Sequence, residues 1–210
     1  MPPSHPPPSG IARGPEPRAV RGGGLVVRFV WSGDRWAHVV TAEPLAEPRW
    51  ASLEHDSAGD GEAAPASPPL VEFAEVETPA GTAAVAVGRW RDCHFSASIL
   101  PEPGHAGVRF ELACRTASPP ESLGSTYLAH LAEGGSPDRA EAGGLRLEAD
   151  SPDGSARVVV SAGEGRRLVR ITPRGAPPGD GPRTLRWCYR LALARPAGHG
   201  CRTPIDRSDS

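Results

Sequence analysis

Two neighbouring segments, residues 90–100 and 107–116, alternate so regularly between apolar and polar side chains that they constrain the fold more than any other feature. Successive side chains of a β-strand point to opposite faces, so each segment is predicted to be a strand with one buried face. A symmetric loop between them places Cys93 opposite Cys114. The prediction is an antiparallel hairpin, because a slip of one residue would bring charged side chains into the core.

The same alternation between turn residues predicts strands along most of the chain. Gly33 begins a two-residue turn that joins residues 25–31 to 35–42 and sets Phe29 opposite His38. Further strands are predicted at 70–78, 82–88, 145–150, 155–161, 167–172 and 183–193. About nine or ten short antiparallel strands predict an all-β fold, either a β-sandwich or an up-and-down β-barrel.

One segment, near residues 119–133, has the pattern of a helix inserted between the strands. Ser118 precedes two prolines and Glu121, which is the arrangement of a capping box at a helix start. Apolar side chains then recur at four-residue spacing, at Leu123, Tyr127 and Leu131.

Composition divides the chain into a domain and two tails. Residues 1–23 are rich in Pro, Gly and Arg and are predicted to be disordered, as are residues 196–210. Between them, residues 24–195 are predicted to form a single β domain that carries an acidic loop at 54–69. The N-terminal segment has no apolar run typical of a signal peptide, so we expect a soluble, cytoplasmic protein with no membrane partner.

Missing residue types exclude several kinds of chemistry. The chain contains no Lys, Asn or Gln, and all 23 basic residues are Arg. A phosphate-binding loop, a protein kinase and a pyridoxal enzyme each need a Lys and are therefore excluded. No Cys or His spacing suits a metal site, so neither a metal nor another cofactor is predicted.

Charge is distributed unevenly although the formal net charge is only −2. Residues 42–80 contain nine acidic residues and one Arg, whereas residues 155–195 contain nine Arg and two acidic residues. We expect these two regions to neutralise each other within one fold. A surface divided in this way suits a protein partner better than nucleic acid, whose binding proteins usually have a basic total charge.

Asp92, His94 and Ser96 are the residue types of a hydrolytic triad and share one face of a strand. Residues two apart on a strand lie roughly 6.5–7 Å from each other, too far for the hydrogen bonds that a triad needs. No catalytic residue is therefore assigned, and we expect a protein that is not an enzyme.

The cysteines suggest two further features. Cys188 lies between Arg186 and Arg190, whose positive charge would lower the pKa of the thiol and make it reactive. Cys93 and Cys114 are interpreted as buried reduced thiols, with a cross-strand disulfide as the alternative.

Three functions follow from these observations, with a binding or protein-interaction module preferred. The second is a small-ligand carrier or enzyme with an interior pocket lined by Phe29, His38, Phe95, Phe110, Trp187 and Tyr189. The third is binding of a nucleic-acid phosphate backbone through a basic patch of Arg166, Arg167, Arg170, Arg186 and Arg190. The identity of the partner and the oligomeric state are not predicted.

Overall fold

The computed structural model describes residues 14–44, 50–54, 65–104, 107–118, 123–129, 132–136, 139–150, 156–163, 166–174 and 181–194. These residues form fifteen β-strands and no helix. The strands are β1 (Arg18–Gly22), β2 (Leu25–Ser32), β3 (Arg35–Ala42), β4 (Trp50–Ser52), β5 (Leu70–Thr78), β6 (Gly81–Trp90), β7 (Cys93–Glu102), β8 (Gly107–Thr116), β9 (Ser125–Ala129), β10 (Ala132–Ser136), β11 (Arg139–Ala142), β12 (Leu145–Ala149), β13 (Ala156–Gly163), β14 (Arg166–Pro173) and β15 (Arg183–Leu193). Nothing in these ranges is a helix that could cross a membrane.

The strands form two antiparallel sheets that pack face to face. The seven-stranded sheet has the order β1-β2-β3-β4-β9-β14-β13, and the eight-stranded sheet has the order β10-β11-β12-β15-β8-β7-β6-β5. Apolar side chains from the facing sides of both sheets form one buried cluster. Neither sheet closes on itself along the described strands, so the fold is the predicted β-sandwich and not the barrel.

The alternation of side chains builds this core as expected. On β15 the four inward side chains, Leu185, Trp187, Tyr189 and Leu191, are all buried. The pairing of β2 with β3 is also confirmed, since Phe29 lies opposite His38 and Gly33 has a φ of 71°. A positive φ costs glycine little, which is why the turn begins at this residue.

The predicted register of β7 and β8 is wrong by two residues. Phe95, and not Cys93, lies opposite Cys114, because both strands extend further into the loop until Glu102 pairs with Gly107. A shift of two residues keeps every side chain on its predicted face. Inward and outward positions were therefore predicted correctly while the partners were not.

The predicted helix near 119–133 is contradicted by β9 and β10. Residues 119–122 and 130–131 lie outside the described part, but residues 125–129 pair with β4 and β14 as a strand. A spacing of four residues is even, so it returns to the same face of a strand as well as of a helix. Tyr127 uses this position to enter the core, where its side chain is fully buried.

Two segments predicted to be outside the core contribute to it. Residues 18–22 of the expected tail form β1, and Val20 is fully buried opposite Val27. At the ends of the acidic loop 54–69, Glu54, Ala66 and Ser67 are buried. The other predicted tail and loop positions, 1–13, 55–64 and 196–210, lie outside the described residues.

Candidate functional site

A chain of three hydrogen-bonded polar side chains crosses the core between the two sheets. His38 Nε2 on β3 lies 2.8 Å from the hydroxyl of Tyr127 on β9, and this hydroxyl lies 2.7 Å from that of Tyr189 on β15. Each side chain occupies an inward position of its strand and is buried. The arrangement joins two strands of the seven-stranded sheet to the centre of the eight-stranded sheet.

The three groups are neutral at physiological pH. Burial lowers the pKa of His38 to about 3 and raises the pKa of both tyrosines above the ordinary value. The His38 ring stacks on Phe110 with centroids 5.5 Å apart, and Phe110 stacks on Tyr189 at 4.8 Å. A neutral network enclosed by aromatic rings stabilises one arrangement of the core and has no access for a substrate.

Replacing Tyr127 with Phe is expected to destabilise the protein by about 2 kcal/mol, because His38 and Tyr189 both lose a buried partner. Chemical denaturation would measure the loss. Tyr189→Phe is the comparison: it leaves Tyr127 bonded to His38 but removes a partner of both Tyr127 and Ser125, so a similar loss is expected. A loss below about 0.5 kcal/mol in Tyr127→Phe would contradict the hydrogen-bonded network.

Glu54 is a second buried polar group beside this network. Ser52 Oγ donates a hydrogen bond to Glu54 Oε1, whereas Oε2 has no hydrogen-bond partner among the described residues. Burial raises the pKa of Glu54 to about 7, although the bond from Ser52 and the charge of Arg35 oppose the shift. The carboxyl group therefore changes its charge near neutral pH.

Glu54, His38 and Tyr189 line a cavity of about 20 Å³. A single water molecule needs about 10–15 Å³, so the cavity can hold one water and no organic ligand. Four of the six predicted lining residues are found here: Phe29, His38, Phe110 and Tyr189. Phe95 and Trp187 are buried in the core instead, and the Trp187 ring donates to Ser125 Oγ at 3.0 Å. In the part of the chain described, the interior ligand pocket expected from the sequence is therefore not formed.

The triad-like residues do not form a catalytic arrangement. Asp92 lies in the turn before β7, where its Oδ2 accepts a hydrogen bond from Thr116 at 3.2 Å. Asp92 and His94 line an open surface depression of about 440 Å³, and Ser96 is not among its lining residues. Across the described ranges, no three His, Cys, Asp or Glu side chains are close enough together to hold a metal ion.

The reactivity predicted for Cys188 stays a prediction. Its thiol is half-buried opposite Glu111, and burial, followed by the charge of this carboxylate, raises the pKa of the thiol. Arg190 is ion-paired with Glu102 and Asp150, so its charge is largely compensated. Cys93 and Cys114 are free buried thiols, and burial raises the pKa of Cys114 to about 12.

The arginines of the predicted basic patch belong to different sheets. Arg166, Arg167 and Arg170 lie on β14 of the seven-stranded sheet, and Arg186 and Arg190 lie on β15 of the eight-stranded sheet. Arg170 donates to Thr126 Oγ1 at 3.2 Å on the outer face of its sheet, while Arg186 is exposed on the opposite outer face. Binding of a phosphate backbone by these residues stays a prediction.

Among the described strands, β5 is the most exposed; it ends the eight-stranded sheet and pairs with β6 alone, and its Val71 carbonyl accepts a hydrogen bond from Trp36 Nε1 at 3.1 Å. Its three glutamates, Glu72, Glu75 and Glu77, are exposed, and we call them the acidic edge. Four of the five exposed large apolar side chains in the described residues lie on this hairpin: Val71, Val76, Val85 and Val87. The pairing of β5 with β6 puts Val76, Val85 and Val87 on the outer face of the sheet, and we call them the valine face.

Fold and surface together define the class of the protein: an antiparallel β-sandwich with a closed, neutral interior and an open acidic sheet edge. Neither a family model nor a curated protein matches the chain. Its function is therefore inferred from its own geometry.

Proposed function

We propose that the chain is a protein-interaction module that binds an extended, basic polypeptide segment along β5. The observation that supports this is that β5 has three exposed glutamates and a side without a partner strand among the described residues, while β5 and β6 together carry four of the five exposed valines. Partner binding here would extend the eight-stranded sheet by one strand.

Backbone groups on the free side of an edge strand are a template for another strand. Proteins usually protect such an edge with Lys, Pro or a covering segment. β5 has a bulge only at its start, between Leu70 and Glu72, and its remaining residues follow a regular ladder with β6. The free side is therefore long enough to accept a strand.

Side chains of the hairpin specify the chemistry of the partner. The acidic edge favours Arg or Lys and disfavours an acidic segment, and the valine face adds apolar area beside it. One glutamate, Glu75, already has a cation within reach, since Arg18 Nη1 lies 3.6 Å away. Glu72 and Glu77 are therefore the main charges available to a partner.

A short peptide that alternates Arg and Val is expected to bind and to perturb the amide resonances of β5, whereas its Glu–Val counterpart is not. The double variant Glu72→Arg/Glu77→Arg should weaken binding at least tenfold, because like charges now face each other. Glu111→Arg, a charge reversal on the outer face of β8, three strands from β5, is the matched control. Equal binding by the double variant, or perturbation confined to other strands, would overturn the proposal.

A further inference from the structure

The opposite end of the molecule carries a second open edge of opposite charge. β13 is the outer strand of the seven-stranded sheet and pairs only with β14. Arg157 on β13 is exposed, Arg170 of β14 lies opposite Val159, and neither strand contains an acidic residue. We call Arg157, Val159 and Arg170 the basic edge. Val159 is the one exposed large apolar side chain of the described residues that is not on the β5–β6 hairpin.

The expected neutralisation of the acidic and basic regions within one fold is not found in the described residues. β13 packs against β10, β11, β12 and β15, whereas β5 lies at the far end of the sheet that contains those strands. Glu75 is paired with Arg18 of β1, and no ion pair among the described residues joins β5 to β13 or β14. The two charged edges therefore face away from each other.

We infer that the segment bound by β5 is the β13 edge of a second copy of this chain, an inference that rests on the proposed function. The two strands have similar lengths, nine and eight residues. Pairing them with their outer faces aligned places Arg157 and Val159 on the same side as Glu72 and the valine face, with Arg170 one strand behind. Two β5 strands would instead place glutamates against glutamates, which is unfavourable.

This contact is heterologous, because each copy contributes a different edge. A growing open assembly keeps one free acidic edge at one end and one free basic edge at the other, so further copies can add at both ends. Such contacts produce rings when the rotation closes and open chains when it does not. The assembly is therefore expected to grow with concentration beyond a dimer and to dissociate when salt screens the charges.

Two charge-reversal variants of the full chain, one for each edge, test the inference. By sedimentation velocity, the wild type should assemble at about 0.01 M ionic strength and dissociate at about 1 M. Glu72→Arg/Glu77→Arg, with two basic edges, and Arg157→Glu/Val159→Glu, with two acidic edges, should each remain monomeric at concentrations where the wild type assembles. An equimolar mixture of the two variants should assemble again, because an acidic and a basic edge are once more available.

Circular dichroism would establish that both variants are folded, and Glu111→Arg, on the outer face of the centre of the eight-stranded sheet, should assemble like the wild type. A wild type that stays monomeric at low salt and high concentration would overturn self-association. Binding of the Arg–Val peptide at β5 in that case would leave the proposed function in place, whereas its absence would remove both. Assembly of either variant alone, or failure of the mixture, would show that these edges do not form the contact.

Discussion

Replacement of Glu54 by Gln is expected to raise the free energy of unfolding by about 3 kcal/mol at pH 8 and to change it little at pH 4. Burial raises the pKa of Glu54 from 4.5 to about 7, so the folded state binds this proton more tightly than the unfolded state. The resulting stabilisation is complete below about pH 4.5 and is lost as the pH rises through 7. Because Gln is neutral at every pH, the variant should keep this stabilisation as the pH rises.

Urea denaturation at a series of pH values would measure this difference. Glu72→Gln, which changes an exposed carboxylate of β5, is the control and should follow the wild type. If Glu54→Gln had a higher free energy of unfolding than the wild type by the same amount at pH 4 and pH 8, the titration of Glu54 would be contradicted. In that case packing around the side chain would be the cause.

Substitution of His38 by Gln should remove the acid destabilisation that comes from this group, which Glu54 no longer offsets below about pH 4.5. Burial lowers the pKa of His38 from 6.5 to about 3, so the unfolded state binds this proton more tightly. The wild type therefore loses up to about 5 kcal/mol from this group as the pH falls from 6.5 to 3. His38→Gln also loses ring stacking with Phe110, so the slope with pH and not the absolute stability is the quantity to compare.

The two groups act in opposite directions over the same range. Between about pH 4.5 and 6.5 the folded state keeps a proton on Glu54 and excludes one from His38, so their effects cancel. The wild type should show a nearly flat profile there. Glu54→Gln should gain stability with rising pH, and His38→Gln should lose it, each by about 1.4 kcal/mol per pH unit. His94→Gln, at an exposed position, should reproduce the flat profile.

The alternation of apolar and polar side chains was sufficient to predict a strand and its buried face where the strand is amphipathic and a tight turn limits its pairing. β2, β3 and β15 were predicted with their buried faces, because charged side chains on one side allow a single orientation. The register predicted for β7 and β8 was wrong because the loop between them can have several lengths, whereas the two-residue turn at Gly33 can have only one. The helix predicted over residues 125–129 was wrong because the spacing of their apolar side chains fits both a helix and a strand.

The candidate sites were less accessible to sequence reasoning than the strands. His38 and Tyr189 were recognised as inward-facing, but Tyr127 was assigned to a helix and Glu54 to a solvated acidic loop. Nothing in the acidic run indicates that Glu54 is buried, since its burial depends on segments far apart in the chain. Ser52 is a local partner, but Arg35 approaches Glu54 only after β3 and β4 pair.

By itself, the sequence determined the class of fold, the inward faces of the principal strands and the separation of acidic from basic residues. These properties depend on side-chain periodicity and composition, which are local. Tertiary structure decided which strands end the sheets, and therefore that β5 and β13 are open and oppositely charged. It also decided that His38 bonds to Tyr127 and lines the same small cavity as Glu54, because strand order and layer packing depend on contacts between residues distant in the chain.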